Sequence, residues 1–327
     1  MLGIDIGNRS IKIIDAVVKK EHIEVKNFAV ELLPDGVIEN DRIISHEQLV
    51  KILHDMVVKY QFKGKANFVL CSSQVITRDI ELAGISEADI QTNVEAQMDQ
   101  ILPGIVQTSV IDYKPKKNGE YMVCAAPLGM IKEFSDIIGE AGLKLEAIDI
   151  MSNAVSKLYG KYVNSSGSQA IIDIGHSKLD VTIINKGEMS LNKTYNTGNS
   201  KVDELIANYY NLSLEEADRV KRGGFKGYNV GREDLERYLR FSYEQVANDV
   251  KKLIQFFNSR SKGEDVSEVV LTGGGTLFKD TDRYLETILE LPVNIFKPSV
   301  KIRVNPQLYL QNIIFFVPAL GATVREG

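Results

Sequence analysis

Apolar positions run together or alternate over residues 2–7, 11–18 and 22–30, rich in Ile and Val and separated by polar breaks. That pattern predicts three consecutive antiparallel strands. Leu49, Ile52, Leu53, Met56, Val57 and Tyr60 then recur at helical spacing over 46–60, and a strand-like "ANFVL" follows. Between about 75 and 150 the predicted order is β-α-β-β-α-β. It comprises "VITRDIEL", a helix opening at Ser86 with Asp89 where a capping box places an acid, the strands "QTSVIDYKP" and "EYMVCAAP", a helix stopping at Gly142, and "LKLEAIDI". Such a block can close as one small layered subdomain. It reads as an insertion, because a helix over 152–162 and a second meander over 169–198 resume the opening theme. Helical segments over 201–210, 213–222 and 233–259 follow, then the strand "EVVLTGGG", a helix over 279–289 and a closing "FFVPALGATVREG".

The pattern is a duplicated β-meander-plus-helix domain of the α/β class. The first copy covers 1–168 and carries the insertion at about 75–150. The second covers 169–327 and carries a helical subdomain at about 200–262, with residues 164–168 as the candidate hinge. A chain of 327 residues is long enough for two such cores.

Composition removes several function classes. A formal net charge of −5 leaves no electrostatic footprint for nucleic acid or for an anionic membrane. Cys71 and Cys124 sit inside apolar strand-like runs and read as buried thiols in a reducing compartment. The apolar window 313–317 is cut by Pro318 and Gly321 and is too short to span a bilayer. The first strand opens at residue 2, leaving no room for a signal peptide, so a cytoplasmic protein without direct membrane insertion is expected. His22, His46, His54 and His176 show no metal-ligand spacing, and no Ser-His-Asp or Cys-His set is visible.

One short phrase occurs twice. "GIDIGNRSIKI" opens the chain and "AIIDIGHSKLDVTII" returns at 170–184. A Gly in a strand-to-strand turn lets another group approach the backbone, and successive N–H groups there form an anion-binding concavity. An Asp just before it suits the hydrated Mg²⁺ of a nucleotide. A plain hairpin, or a relic of duplication, accounts for the same residues. Residues 269–276, "VVLTGGGT", run from a strand into three glycines ahead of a helix. They read as a platform for a base or ribose, or as a flexible loop. Neither a dinucleotide G-x-G-x-x-G nor a Walker A sequence is present.

The two D-I-G turns, the T-G-G-G and the terminal A-L-G-A resemble the phosphate-1, phosphate-2, adenosine and second connecting motifs of the actin-like ATPases. Residues 217–222, "ADRVKR", are similar to the chaperone-type A-E-x-x-K-R ribose and adenine contact, with Asp218 in place of Glu. The resemblance implies an actin-like ATPase fold, two related domains around a nucleotide cleft holding ATP and Mg²⁺, and a terminal helix returning to the first domain. It implies that Asp5 and Asp173 hold Mg²⁺ through water. Gly7, Asn8, Arg9, Ser10 and Lys12 would surround the phosphates on one side, and Gly175, His176, Ser177 and Lys178 on the other. Asp218, Lys221 and Arg222, with Gly273, Gly274, Gly275 and Thr276, would meet the adenosine.

Within that superfamily the opening, the stretch "AAPLGMIKEFSDIIGEAGLKLEAIDI" and the ending "VPALGATVRE" resemble the PilM family of type IV pilus assembly. That resemblance implies an ATP-binding assembly factor of a type IV pilus or a related type II secretion-like machine. Its partner would be the cytoplasmic N-terminal tail of a PilN-like inner-membrane protein, which would recruit it to the inner face of the membrane. Self-association is a property of the wider superfamily. Two departures point to slow or absent hydrolysis, at most a weak ATPase. Lys178 stands where chaperone-type proteins have Thr, and residues 151–154 read Met-Ser-Asn-Ala where Glu-Pro-x-Ala is common. An FtsA-like filament protein and a small-molecule kinase of the same fold are the alternatives.

Overall fold

A computed structural model describes residues 1–39, 41–82, 84–116, 119–163, 167–221, 231–278, 280–304 and 310–325. Residues 164–166 of the candidate hinge and Arg222 lie outside them.

The first meander forms as β1 (Leu2–Ile6), β2 (Ser10–Val18) and β3 (Ile23–Leu32), each antiparallel to the next. A short hairpin, β4 (Ile38–Glu39) and β5 (Arg42–Ile43), precedes α1 (His46–Lys59) and β6 (Lys65–Leu70). Every residue of β1 is buried, because helices cover both faces of this part of the sheet; its continuous apolar run is the signature of such a strand.

The block after β6 contains β7 (Ile76–Glu81), α2 (Ile90–Ile101), α3 (Ile105–Thr108), β8 (Ser109–Pro115), β9 (Glu120–Pro127), α4 (Leu128–Glu140) and β10 (Lys144–Ile150). The β-α-β-β-α-β order is the one the sequence predicts, but its partition in space is narrower. Only β7, β9 and β8 make a separate sheet, closed over Leu82, Val94, Met98 and Val123. β10 leaves it to lie parallel to β6, and α4 buries Phe134, Ile137 and Ile138 against Leu49, Leu53 and Met56 of α1. A six-residue ladder on the main sheet satisfies more backbone than an edge of the small one.

After α5 (Met151–Tyr162) the pattern repeats as β11 (Ser168–Ile174), β12 (Leu179–Asn185) and β13 (Glu188–Tyr195). Then come α6 (Ser200–Tyr210), α7 (Leu214–Lys221), α8 (Arg232–Asn258), β14 (Val266–Thr272), α9 (Thr281–Leu289), β15 (Val293–Ile295), β16 (Ile302–Val304) and α10 (Val317–Thr323). The sheets run β10-β6-β1-β2-β3-β16 and β13-β12-β11-β14-β15. In both, an antiparallel meander continues through two parallel strands beside its first strand. The duplication is one of topology as well as of motif.

α5 and α10 pack against each other between the two sheets, in a core that draws Ile14 and Val69 from one and Ile171 and Val270 from the other. Backbone meets backbone here. A Cβ on Gly3 would stand 1.8 Å from the Ala319 carbonyl oxygen, and one on Gly321 would stand 2.3 Å from that of Ala154. The buried Asn67 Nδ2 donates to the Ala322 carbonyl at 2.8 Å, satisfying an acceptor at the end of α10. Gly3→Ala and Gly321→Ala should each cost about 3 kcal/mol or more, since neither backbone can give way. Gly139→Ala, where a methyl group meets nothing within 4 Å, should be neutral or gain about 0.5–1 kcal/mol. Denaturant midpoints for the three variants check this.

Candidate functional site

The two D-I-G turns have one geometry. Asp5 lies opposite Lys12 across β1–β2, and Asp173 lies opposite Asp180 across β11–β12. Gly7 N–H donates to the Ser10 carbonyl at 3.0 Å, and Gly175 N–H to that of Lys178 at 2.9 Å. Both turns line one cleft between the sheets. Asp5, Gly7, Asn8, Arg9, Ser10 and Lys12 come from the first hairpin, and Asp173, Gly175, His176, Ser177 and Lys178 from the second. The structure thus brings together the residues that the repeated phrase singled out.

Their charges are largely committed to one another. Lys12 Nζ bonds Asp5 Oδ2 at 2.7 Å; burial alone would lower this ammonium, but Asp5 and then Asp173 outweigh it and hold it above its usual value. Burial pushes the Asp173 carboxyl up to about 7, against Lys12 and a hydroxyl bond from Thr272 to its Oδ2 at 2.8 Å. Burial also raises Asp180, whose two oxygens accept from Thr182 at 3.2 Å and Thr194 at 2.7 Å. Arg9 pairs with the exposed Asp35 at 2.8 Å. Lys178 reaches the other half of the cleft, donating to the Cys71 carbonyl at 2.8 Å and pairing with Asp41.

The second turn is buttressed from behind. Asn199 and Ser200 N–H at the start of α6 donate to the Gly175 and His176 carbonyls at 3.0 and 2.7 Å. Gly198 is required there, since a Cβ would stand 2.5 Å from the His176 carbonyl oxygen.

The adenosine candidates are distributed differently. Asp218 lines a smaller adjoining cavity with Arg9, Asp35, His176 and Asp203. Lys221 is buried in ion pairs with Asp203 at 2.5 Å and Asp218 at 3.2 Å. Gly273, Gly274, Gly275 and Thr276 do not line the main cleft. Gly273, at φ +83°, and Gly275 are demanded by packing: Cβ atoms there would stand 2.7 Å from the Ile174 carbonyl oxygen and 2.2 Å from its Cγ2. Gly274 is exposed, and the Thr276 hydroxyl closes the turn on the Gly273 carbonyl at 2.8 Å.

Asp41, Ser72, Met130, Phe134 and Asp180 also line the cleft and were not singled out from the sequence. Asp180 had a signal, since it stands seven residues after Asp173 as Lys12 does after Asp5. No group of three or more His, Cys, Asp or Glu among the described residues is placed to hold a metal ion. Asp5 and Asp173, each with one oxygen committed, fit a hydrated Mg²⁺ carried by phosphates rather than a cation caged by protein.

Residues 3–325 match the family described as type IV pilus assembly protein PilM. The chain belongs to the PilM family. This PilM-family chain is similar to a solved structure described as a PilM-PilN type IV pilus biogenesis complex, with a TM-score of 0.84 at 19% identity, covering 98% of this chain and 96% of that one. It is similar to the ethanolamine utilization protein EutJ from Carboxydothermus hydrogenoformans, with a TM-score of 0.62 at 16% identity over 99% and 88% of the two chains. It is also similar to MreB5 of Spiroplasma citri bound to ADP, with a TM-score of 0.58 at 13% identity over 99% and 94%. Identities this low speak to the fold, which is the actin-like ATPase fold.

One titration tests the site's geometry. Burial, Arg9 and Lys221 push His176 down to about 4, so the folded chain keeps this ring neutral where an unfolded chain protonates it near 6.5. The stability gained by keeping it neutral is present above pH 6.5 and is lost as pH falls toward 4. Wild type should therefore lose ground to His176→Gln between about pH 7 and about pH 5 in urea unfolding. A constant gap would count against the placement of His176.

Proposed function

We propose that this PilM-family chain binds Mg·ATP in the cleft as a structural or switch ligand and docks the cytoplasmic N-terminal tail of a PilN-like protein. The observation that carries the reading is the pair of equivalent turns lining one cleft, each closed by the same backbone hydrogen bond. Their N–H groups suit a polyphosphate. Lys12 and Arg9 on one side and Lys178 on the other offset its charge. Asp5 and Asp173 hold Mg²⁺ through its waters, and the metal supplies charge neutralisation when bound. The ribose and base extend toward the cavity at Asp218, with Gly274 the exposed member of the glycine triplet.

Hydrolysis is slow on this reading. Met151, buried at the cleft wall, has no group to orient a water. Asp180 keeps both oxygens occupied by threonine hydroxyls.

The partner assignment draws on family membership and on the similar PilM-PilN complex. Among the described residues no helix is long and apolar enough to cross a membrane, which fits recruitment by a membrane-held partner. Contacts of the insert with β13 and α5 support a role for it in transmitting cleft occupancy. Thr77 of β7 bonds Asn192 of β13 at 2.5 Å, and Lys114 of β8 bonds Asn153 of α5 at 3.0 Å. We assign the docking surface to the first half of the chain and its insert, with the two halves meeting near residue 168.

Calorimetric titration with Mg·ATP should show binding that Asp5→Ala and Asp173→Ala each weaken tenfold or more, as expected on losing a charged contact worth about 1.5–3 kcal/mol. Fluorescence anisotropy of a labelled PilN-tail peptide should show tighter binding with Mg·ATP than without. Brisk phosphate release that Asp173→Ala abolishes would overturn the switch reading in favour of an ATPase.

A further inference from the structure

The two turns differ in the side chain that closes them. Ser10 ends the first and Lys178 the second, and both accept the glycine N–H through their carbonyl oxygens. Serine stops at the turn. Lys178 extends across the cleft to the end of β6, where its ammonium meets the Cys71 carbonyl and the Asp41 carboxylate.

Asp41 is held in place for that partner. It lies between β4 and β5 at φ +66°, a left-handed conformation that a residue with a side chain rarely adopts. Its second oxygen accepts from Ser72 Oγ at 2.9 Å, and Ser72 is only 4% exposed. Ser72 Oγ in turn accepts from Gln74 N–H at 3.1 Å. The bridge therefore joins the second hairpin to the first half of the chain, and both its ends line the cleft.

Position along the cleft says which part of a nucleotide meets it. Arg9 and His176 are shared between the main cleft and the adjoining cavity at Asp218. Lys178, Asp41 and Ser72 line the main cleft alone. A nucleotide with its sugar toward Asp218 runs its phosphates past Arg9 and His176, and the last of them arrives at Lys178. An ammonium facing both a carboxylate and a phosphate oxygen goes to the more highly charged acceptor.

We propose that Lys178 reads the third phosphate of a nucleoside triphosphate, leaving Asp41 for it, while a diphosphate leaves the Lys178–Asp41 bridge across the cleft in place. The proposal rests on the nucleotide reading above and adds to it a discrimination between ATP and ADP. Exchange frees the β4–β5 hairpin from the second half of the chain, so the state of the nucleotide becomes a change in how the halves are tied.

The test is calorimetric affinity for Mg·ATP and Mg·ADP in wild type, Asp41→Asn, Lys178→Ser and the double variant. Asn tolerates the left-handed conformation and still accepts from Ser72, so Asp41→Asn removes only the competing charge. It should tighten ATP severalfold and leave ADP within twofold. Lys178→Ser should weaken ATP tenfold or more with ADP again little changed. The double variant, which leaves no unpaired carboxylate in the cleft, should still bind ATP several-fold more weakly than wild type with ADP little changed, because the ammonium that meets the third phosphate is gone. Equal shifts for ATP and ADP, or none, would overturn the proposal and leave the bridge a structural ion pair. Absence of ATP binding by the unaltered chain would sink the nucleotide reading along with it.

Discussion

The contact of bare backbone on bare backbone at α10 fixes everything else about the cleft. Gly3 lets β1 approach Ala319, and Gly321 lets the same helix approach Ala154 on α5. Two sheets joined through longer side chains would stand further apart and could slide past each other. With α5 and α10 buried between them, the end of β1 and the end of β11 take fixed places. The turns that follow those strands then face one cleft. Apolar burial supplies the energy of this seam and the glycines supply its geometry.

Charge divides the two hairpins that the fold makes alike. At the register position where the first carries Lys12 opposite Asp5, the second carries Asp180 opposite Asp173. One side is a satisfied ion pair. The other is a pair of buried acids, and burial pushes both of their pKa values up. Lys178 balances that second side, and its reach ties it to the first half of the chain. A duplicated scaffold thus offers an anion two chemically distinct walls, and a cation arriving with the anion finds carboxylates on both.

What the sequence made legible was local. Alternating Ile and Val marked both meanders, and the repeated D-I-G marked the turns, because hairpin and motif are written in adjacent residues. Pairing across long separations left no comparable mark. β10 reads like the last strand of a small insert, yet it pairs with β6 some eighty residues earlier. Lys178 reads like a phosphate ligand by position, but its carbonyl partner Cys71 is 107 residues away. The T-G-G-G stretch reads as a platform or as a flexible loop; two of its glycines are explained by the approach of Ile174, a contact known only once β11 and β14 are placed side by side.

On the proposed reading, in which the cleft would hold nucleotide without quickly cutting it, the insert carries the consequence. If occupancy rather than turnover is the signal, the protein needs a part that feels both halves at once. The three-stranded insert sheet is so placed, since β7 bonds to β13 through Thr77 and Asn192 and β8 bonds to α5 through Lys114 and Asn153. Both are part-buried polar contacts outside the insert's own apolar cluster. Bonds of these kinds contribute about 1–3 kcal/mol each, little enough to be remade when the halves shift. A large apolar interface at the same place would have locked the insert to one half. Polar ties on two sides link the insert to both halves, and β7 and β8 form the edges of its sheet.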